Sequence, residues 1–340
     1  MTSPTAAITE ESASHFAIVA AAYGGPDVLS VVDAEVPSPG PGEVTIEVRA
    51  AGVNPIDRKL YSGAFGSSAE NLPLRLGLEV AGVITEVGPG AVGPAGPLSV
   101  GDEVIAYPTE GGYATAVTVS ANGVVPKPTE LSWEQASGLL LVGATAVHAV
   151  AAVKVGSGDT VLIHAGSGAV GLLAVQLSLA AGATVVATAS ERNQGLLREV
   201  GAVGLTYGPG LPDRVRQAVP SGINVAIDAA GTDEAIDVSL EVVREPSRIV
   251  SIAAFHRADT GIKLIGHGPG GDPGTEIRSN AWRQLLPLAS AGKLIPLPVK
   301  AYPLTQAARA HTLLDQGHPN AKLVLIPGTL NHSRVDAPSV

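Results

Sequence analysis

The amino-acid sequence predicts an α/β protein in which a β-rich part precedes a doubly wound parallel sheet. Residues 15–125 read as short strands broken by turns, which is typical of a β-rich domain. Residues 132–268 alternate strand and helix patterns, which favours a parallel sheet with helices on both faces. Residues 165–171 read AGSGAVG and place a glycine-rich turn between a strand and a helix of that second part.

The composition limits the classes of function. The chain has 340 residues, enough for two domains, and 45% of them are apolar. The net charge of −10 argues against nucleic acid as a partner, because phosphate binding needs a basic surface. The absence of cysteine excludes disulfides, thiolate metal sites and a cysteine nucleophile.

The N-terminus and the longest apolar run carry no membrane or export signal. Residues 1–14 lack the basic and apolar regions of a signal peptide. The apolar run at 139–153 is interrupted and is too short to span a bilayer. We therefore expect a cytoplasmic protein without membrane contact.

The β-rich part is predicted from runs of β-branched residues, several of which alternate apolar and polar positions. Turn residues separate these runs, so few helices are expected there. The predicted strands are HFAIVAAAY (15–23), EVTIEVRAAGV (43–53), VAGVITEVG (80–88), DEVIAYP (102–108) and GGYATAVTVS (111–120).

The pattern changes at Leu131. Ser132 can cap the first turn of a helix, and Gln135 stands three residues later as its capping-box partner. Strands and helices then alternate, and a mixed pattern returns from about residue 270. The predicted elements are the strands at 160–166, 184–190, 224–231, 247–255 and 322–327 and the helices at 169–183, 192–202, 232–243, 275–294 and 304–317.

The glycine-rich turn predicts a dinucleotide site, because a strand precedes it, a helix opens inside it and another strand follows. Gly166 permits the turn and Gly168 lets the backbone approach a pyrophosphate. Gly171 allows close packing of the helix on the strand. The helix N-terminus presents unpaired N–H groups to the anion, so Ser167, Ala169 and Val170 complete the expected contact.

The choice of dinucleotide depends on the end of the second strand. A site for NAD usually carries Asp or Glu there, but this chain has Ala189 and Ser190 at the tip. Ser190 can donate to a 2′-phosphate, and Arg192 can form a charge-assisted pair with it. The alternative is that Glu191 turns to the ribose and Arg192 is solvated. The neutral tip favours NADPH as the cofactor.

The chain resembles the medium-chain dehydrogenase/reductase superfamily, in its zinc-free quinone oxidoreductase (zeta-crystallin-like) branch. The motifs that carry the resemblance are AAGVNPIDRKLYSG (50–63), LRLGLEVAGVITEVG (74–88), VGDEVIA (100–106), GGYATAVTV (111–119), VGATA (142–146), AGSGAVG (165–171) and ATASERN (187–193). The resemblance implies a GroES-like β-rich domain, formed by residues 15–131 and 269–330, around an inserted Rossmann domain at 132–268. It also implies a homodimer joined through RIVSIAAF (248–255) and GIKLIGHG (261–268).

The same motifs lack the metal ligands of zinc-dependent relatives. In those relatives a cysteine stands where this chain has Asn54, and a histidine stands where it has Leu78. None of the eight histidines shows a paired metal spacing, and His164 is expected to be a packed core residue. No metal site is therefore expected.

The motif NPIDRKLY supplies the candidate catalytic residues. The resemblance implies that Asn54 lies near the nicotinamide. Lys59 contacts the cofactor or donates a proton in one interpretation, and is a solvated helix residue in the other. Asp57 is either an orienting partner or a carboxylate that caps the helix start. Tyr61 and Phe65 are expected to shape the substrate entrance.

Further cofactor contacts are implied by motif position. Thr145 is expected near the nicotinamide ribose, with a helix-packing hydroxyl as the alternative, and Tyr207 is expected beside the 2′-phosphate. The remaining expected contacts are at the ends of two strands: Asp228, Ala230, Ser251, Ile252 and Ala253. The glycine-rich stretch at 266–274 is either a mobile loop beside the substrate or a domain connection. Ser247 and Ala321 depart from the family pattern, which often has glycine at both positions.

Three functions are open at this stage. The first is an NADPH-dependent, zinc-independent reductase that transfers hydride to quinones or to the C=C bond of α,β-unsaturated carbonyl compounds. The second is an enoyl reductase for a dedicated thioester or polyketide-type intermediate. The third is a non-catalytic NADPH-binding protein. The expected partner in the first two cases is a small electrophilic substrate, because alcohol oxidation without a metal lacks a Lewis acid.

Overall fold

The computed structural model describes residues 15–317 and 321–328. In these residues the chain forms strands of two to ten residues. The strands are β1 (Phe16–Ala20), β2 (Leu29–Asp33), β3 (Glu43–Gly52), β4 (Leu74–Arg75), β5 (Val80–Val87), β6 (Val92–Gly93), β7 (Gly96–Pro97), β8 (Glu103–Ala106), β9 (Ala116–Ser120), β10 (Val124–Pro126), β11 (Thr160–His164), β12 (Thr184–Ala189), β13 (Val203–Thr206), β14 (Val225–Asp228), β15 (Ile249–Ser251), β16 (Lys263–Leu264), β17 (Val299–Pro303) and β18 (Lys322–Ile326).

The helices are short, and most of them belong to the second half of the chain. None of the described helices is long and apolar enough to cross a membrane. The helices are α1 (Pro55–Tyr61), α2 (Trp133–Ala136), α3 (Leu140–Ala152), α4 (Ala169–Ala180), α5 (Gln194–Glu199), α6 (Leu211–Ala218), α7 (Asp233–Val242), α8 (Thr275–Asn280), α9 (Trp282–Ser290) and α10 (Ala307–Asp315).

The β-rich part is built around a seven-stranded sheet. Its strand order is β10-β8-β5-β3-β18-β17, and β9 pairs with β3 as well. Strand β18 comes from the C-terminal region and pairs antiparallel with β3, with Val324 opposite Gly52. The end of the chain therefore returns to the sheet that its beginning formed. Ile46, Val80 and Leu325 are completely buried in the core of this sheet.

The second part is a six-stranded parallel sheet with the order β13-β12-β11-β14-β15-β16. The chain runs outward from β11 to β13 and then crosses to β14 on the other side. Val161, Val185 and Val225 are buried on this sheet, as expected for strands covered by helices on both faces. In such sheets a crevice opens at the carboxyl ends of the two central strands, here β11 and β14.

The glycine turn joins β11 to α4 by close packing. A Cβ on Gly171 would overlap the carbonyl oxygen of Ala165, so the helix approaches the strand as closely as the motif requires. A Cβ on Gly166 would lie 2.6 Å from the Cβ of Ala187 on β12. The residue with positive φ in this turn is Ala165, at 54°, so Gly166 serves packing on the neighbouring strand.

The predicted helices at 275–294 and 192–202 differ from the structure. The pattern at 275–294 folds as two helices, α8 and α9, separated by Ala281, and it ends at Ser290. The predicted helix at 192–202 is reduced to α5, because a 3-10 turn at Glu191–Asn193 precedes it. The apolar run at 139–153 contains helix α3, and α6 is a further helix that the pattern did not predict. The capping box of Ser132 and Gln135 is present at the start of α2.

Candidate active site

A cavity of about 490 Å³ lies at the crevice of the parallel sheet. Its walls come from both parts of the chain. From the parallel sheet and its loops, the lining includes Ser167, Gly168, Ala169, Ser190, Arg192, Tyr207 and Ala230. From the β-rich part, it includes Val53, Asn54, Pro55, Leu314, Lys322 and Leu323. The cavity therefore joins the predicted cofactor turn to the predicted catalytic motif.

The N-terminus of α4 forms one wall of the cavity. Gly168 is the residue before the helix and Ala169 is its first residue. The first N–H groups of a helix have no intrahelical acceptor, so they are available to an anion. Ser167 accepts a hydrogen bond from the Asn193 side-chain amide at 3.1 Å, which fixes the loop after β12 against this turn. This wall has the chemistry of a pyrophosphate site.

The polar groups after β12 form the next wall. The Ser190 hydroxyl is buried and has no hydrogen-bond partner among the described residues. Arg192 and Tyr207 line the same cavity, and Tyr207 is 55% exposed. Glu191, the alternative ribose ligand, is exposed and does not line the cavity. Because a buried hydroxyl without a partner costs free energy, Ser190 is placed where a ligand atom can complete its hydrogen bonds.

Asp228 and Ser251 lie behind the cavity wall rather than in it. The Asp228 carboxylate accepts hydrogen bonds from the N–H groups of Ala230 and Gly231. Ser251 donates to Asp228, and its oxygen accepts from the N–H of Ala253 at 3.1 Å. These bonds fix the two loops that follow β14 and β15. Only Ala230 of this set lines the cavity, so the expected direct contacts of the others, Asp228, Ser251, Ile252 and Ala253, are absent from its lining.

A buried polar cluster closes the end of the cavity beside Asn54. The Asn54 amide nitrogen donates to Glu79 Oε1 at 3.0 Å, and its Oδ1 accepts from Lys322 Nζ at 2.6 Å. Lys322 also lies 3.0 Å from Glu79 Oε1. The other oxygen of Glu79 accepts the N–H of Leu141 at the start of α3, which ties the β-rich part to the second part. Lys322 and Asn54 line the cavity directly.

Asp57 caps the start of α1 and lies outside the cavity lining, and its role as an orienting partner stays a prediction. It is completely buried and accepts hydrogen bonds from the N–H groups of Asn54 and Gly77. Tyr113 donates a third hydrogen bond to it at 3.0 Å. The pKa of Asp57 is raised to about 6, because burial outweighs these three hydrogen bonds. Asp57 holds the start of α1, which was the alternative interpretation.

Lys59 is exposed on α1 and is absent from the cavity lining, which favours the interpretation as a solvated helix residue. Its contact with the cofactor stays a prediction. Tyr61 and Phe65 do not form an entrance to this cavity either. Tyr61 is completely buried and its hydroxyl lies 3.0 Å from His311 Nδ1. Phe65 is 48% exposed and lies outside the lining.

Thr145 is a helix-packing hydroxyl, as in the alternative interpretation. It donates to the carbonyl of Leu141 at 3.0 Å and accepts from Arg278 at 3.1 Å. The glycine-rich stretch at 266–274 packs on the same helix, where Asp272 lies 3.4 Å from His148. Neither feature lines the cavity, so the stretch is a connection to α8 rather than a border of this cavity.

Sequence patterns missed two charged side chains of this polar cluster, Lys322 and Glu79. Both are buried charges, and a buried charge needs a partner. The signal for each was a single charged residue at the edge of an apolar run, in LGLEVAG (76–82) and AKLVLIP (321–327). Ala321, noted as a departure from the family pattern, lines the cavity next to Lys322.

His164 ends β11 and lines the cavity, but it is nearly completely buried. Its ring lies 3.1 Å from the Ser239 hydroxyl, and burial lowers its pKa to about 4. The ring is therefore neutral at neutral pH. Among the described residues, no group of three or more His, Cys, Asp or Glu side chains is placed to hold a metal ion.

Two family models match the chain on either side of the glycine turn. The first, described as the alcohol dehydrogenase GroES-like domain, matches residues 40–129. The second, described as zinc-binding dehydrogenase, matches residues 210–325. Together they cover strands of both sheets.

Two curated relatives illustrate what the chain is similar to. The spectinabilin polyketide synthase system protein NorB of Streptomyces orinoci is 33% identical, over 90% of this chain and 14% of that protein. The chain thus spans only a small part of that relative. The NADPH-dependent alkenal/one oxidoreductase, chloroplastic, of Arabidopsis thaliana is 28% identical, over 90% of this chain and 78% of that protein.

A solved structure matches over nearly the whole length of the chain. The native structure of a mycobacterial quinone oxidoreductase has a TM-score of 0.75 and 31% identity, covering 92% of this chain and 100% of that one. The fold, the glycine turn and the relatives together indicate a nicotinamide cofactor. The chain is an oxidoreductase that belongs to the medium-chain dehydrogenase/reductase superfamily, in its quinone oxidoreductase branch.

Proposed function

We propose that the protein is an NADPH-dependent reductase that transfers hydride to quinones or to the C=C bond of α,β-unsaturated carbonyl compounds. The observation that carries this proposal is the single cavity that joins the α4 N-terminus to Asn54 and Lys322. A cofactor whose pyrophosphate lies on α4 can then extend toward the polar cluster at the other end. The relatives named as quinone and alkenal/one oxidoreductases support the reaction class.

The residues after β12 fit NADPH better than NADH. The 2′-phosphate of NADPH offers acceptors to the buried Ser190 hydroxyl and an opposite charge to Arg192. Tyr207 lines the same region and fits beside the phosphate. Both positions at the tip of β12, Ala189 and Ser190, are neutral, so neither residue repels a phosphate.

The remaining chemistry belongs to the chain's own residues at the Asn54 end. NADPH supplies the hydride when it is bound. Val53, Pro55, Leu297 and Leu323 give this end an apolar lining, which suits a ring or an alkenyl chain. The Asn54 side chain is held by Glu79 and Lys322, so its amide keeps a fixed orientation toward the cavity. Zinc plays no part in this proposal, since Asn54 offers only an amide there.

A second candidate is reduction of an enoyl thioester in a biosynthetic pathway. The similarity to a polyketide synthase system protein over 90% of this chain favours it. The two candidates share the hydride transfer and differ in the group attached to the carbonyl carbon.

We also propose a homodimer joined near β15 and β16. Among the described strands, β16 is the last of the parallel sheet, so its outer edge is available to pair with a second copy. Light scattering of the purified protein decides this, because a monomer at all concentrations contradicts it.

The first experiment measures NADPH oxidation with 1,4-benzoquinone, 9,10-phenanthrenequinone, 2-cyclohexenone, a crotonyl thioester and a simple ketone. NADH serves as the cofactor control, and a chelator is included throughout. We expect turnover of quinones or the enone with NADPH, unaffected by the chelator. Turnover of the thioester alone would favour the second candidate, and turnover of the ketone alone would contradict both.

A further inference from the structure

We propose that the Lys322 ammonium is a catalytic hydrogen-bond donor, which holds the carbonyl oxygen of the acceptor and stabilises the negative charge that develops there. The inference rests on the proposed function, because it assigns the polar group at the reacting end of that cavity. It concerns a residue that the sequence motifs did not single out, and it follows from the burial, distances and donor count of one side chain.

The first step is the position of the side chain. Lys322 is the first residue of β18 and is only 6% exposed, yet it lines the cavity beside Asn54. Its alkyl stem lies over Gly138, where a Cβ would come within 2.6 Å of Lys322 Cγ. A glycine at this position therefore leaves the space that the stem occupies. The absence of a side chain at Gly138 therefore allows the Lys322 side chain to be buried.

The second step is the number of hydrogen bonds that Nζ makes. An ammonium group has three N–H donors. Among the described residues, Nζ donates to Val53 O at 3.0 Å and to Asn54 Oδ1 at 2.6 Å. Glu79 Oε1 lies 3.0 Å away as an ion-pair partner, and the same oxygen also accepts from the Asn54 amide. Because Glu79 Oε1 is shared, the third N–H of Lys322 can turn from it to a ligand atom in the cavity.

The third step excludes the other ionisable groups of the cavity. Those in its lining are His164, Arg192, Tyr207, Glu234 and Lys322. His164 is neutral and is bonded to Ser239, and Glu234 accepts the N–H of Gly208. Arg192 and Tyr207 belong to the segments after β12 and β13, at the proposed 2′-phosphate. Of the described lining residues, Lys322 is the cation next to Asn54.

The reaction step assigns each electron pair. Hydride adds to the β-carbon of the enone, the C=C π electrons move to the bond between the α-carbon and the carbonyl carbon, and the carbonyl oxygen takes the negative charge. The third N–H of Lys322 donates to that oxygen as the charge forms. A proton from water then adds to the α-carbon and the carbonyl is restored. One such donor is worth about 10²- to 10³-fold in rate.

The test separates this role from simple neutralisation of Glu79. Lys322→Met alone leaves Glu79 buried without a counter-ion, so it can fail to fold. The double variant Lys322→Met/Glu79→Gln removes both charges, and Glu79→Gln alone keeps the ammonium. Lys300→Met is the matched control, because Lys300 is exposed on the neighbouring strand β17. Each variant is measured for urea unfolding, NADPH binding by fluorescence, kcat and KM.

We expect the double variant to unfold near the wild-type midpoint and to bind NADPH within about two-fold, while kcat falls about 10²-fold or more. Lys300→Met should keep kcat within about five-fold, because Lys300 is exposed. Glu79→Gln keeps the ammonium, so it should lose less kcat than the double variant. A double variant with wild-type kcat would overturn the inference, because the ammonium would then only balance Glu79.

A second readout does not depend on turnover. In the complex with NADP⁺, 4-nitrophenolate mimics an enolate oxygen, and the absorption of its ionised form reports binding. We expect the double variant to bind it at least about ten-fold more weakly than wild type, with Lys300→Met unchanged. If the wild type reduces no acceptor, the proposed function fails, and the binding of 4-nitrophenolate alone tests the role of Lys322. The inference is then overturned if wild type and double variant bind 4-nitrophenolate equally, or if the wild type does not bind it.

Discussion

At the scale of single residues, the two ends of the cavity differ in how far the protein itself supplies hydrogen-bond partners, as Ser190 and Lys322 show. Ser190 keeps a buried hydroxyl without a partner among the described residues, and this free donor suits a phosphate oxygen. The buried Lys322 ammonium is surrounded by Glu79, Asn54 and the Val53 carbonyl. At the Lys322 end of the cavity, the protein supplies nearly all hydrogen-bond partners. At the Ser190 end, the hydroxyl depends on a ligand for its partner. The cofactor and the acceptor should therefore respond to different substitutions.

The first prediction at this scale concerns Arg192. We expect Arg192→Ala to raise the KM for NADPH about ten-fold or more and to leave the KM for NADH nearly unchanged, because only NADPH carries the 2′-phosphate. The effect on NADPH should shrink at high salt, since Arg192 is exposed. Steady-state kinetics with both cofactors measure it, with Arg198→Ala on α5 as an exposed arginine control. Equal changes for both cofactors would refute the assignment of NADPH.

The second prediction concerns the buried carboxyl of Asp57. Its pKa is about 6 in the folded protein, against an ordinary value of 3.8 for an aspartate, because burial disfavours the charged form. The folded state thus holds the proton more tightly, and the stabilisation is full below about pH 4 and is lost as the pH rises through about 6. Across this pH range, the free energy of unfolding of the wild type falls by roughly 3 kcal/mol relative to that of a variant without the carboxyl.

Urea unfolding of wild type and Asp57→Asn between about pH 4 and about pH 7 measures this difference. The free energy of unfolding of Asp57→Asn should lie furthest below that of the wild type at about pH 4, and the difference should shrink as the pH rises. Asp33→Asn, at an exposed position, is the control and should show a constant difference. A penalty that grows with pH would contradict the raised pKa.

At the scale of elements, the turn between β11 and α4 combines packing with binding. Gly171 lets the first turn of α4 approach the Ala165 carbonyl, and that approach places the helix N-terminus at the cavity. On α5, Gly195 has no atom within 4 Å of where a Cβ would lie. The structure therefore requires glycine at position 171 of α4 but has room for a side chain at position 195 of α5.

This contrast predicts opposite effects of the same substitution. Gly171→Ala should destabilise the protein by about 1–3 kcal/mol and weaken NADPH binding, because the added methyl group displaces the turn. Gly195→Ala should stabilise the protein by about 0.5–1 kcal/mol, since alanine restricts the unfolded chain and favours the helix. Urea unfolding and NADPH fluorescence titration measure both variants. A stable Gly171→Ala protein with wild-type affinity would contradict the packing argument.

The elements also explain which features were predictable from the sequence. The glycine turn and the capping box of Ser132 are local, so their residues stand together in the sequence. The cluster at the other end is not local, because Lys322 and Asn54 lie 268 residues apart and meet only when β18 pairs with β3. The motif at Asn54 therefore led to Lys59, a nearby lysine in sequence, whereas the structure places Lys322 there. Burial of a charge is a property of the fold rather than of the pattern.

At the scale of the whole molecule, the cavity exists only because the chain leaves the seven-stranded sheet and returns to it. Residues 53–55 and 321–323 form one wall. Residues 165, 167–169, 188–190, 192 and 193 form another. Glu79 joins the two parts through the N–H of Leu141. A ligand that spans the cavity should therefore protect both walls, and a ligand that fills only one end should protect one.

Hydrogen exchange followed by mass spectrometry tests this division. The fragment 2′,5′-ADP carries the 2′-phosphate and adenosine but no nicotinamide, so it should slow exchange at 165–172 and 189–194 only. NADPH should slow exchange at those segments and also at 53–61 and 321–327, because its nicotinamide end reaches Asn54 and Lys322. A free NADPH concentration of about 100 times its Kd should raise the free energy of unfolding by about 2.7 kcal/mol. Protection of 53–61 by 2′,5′-ADP to the same extent would mean that the two walls close together on the adenosine end, and the assignment of the Asn54 end to the nicotinamide would then be wrong.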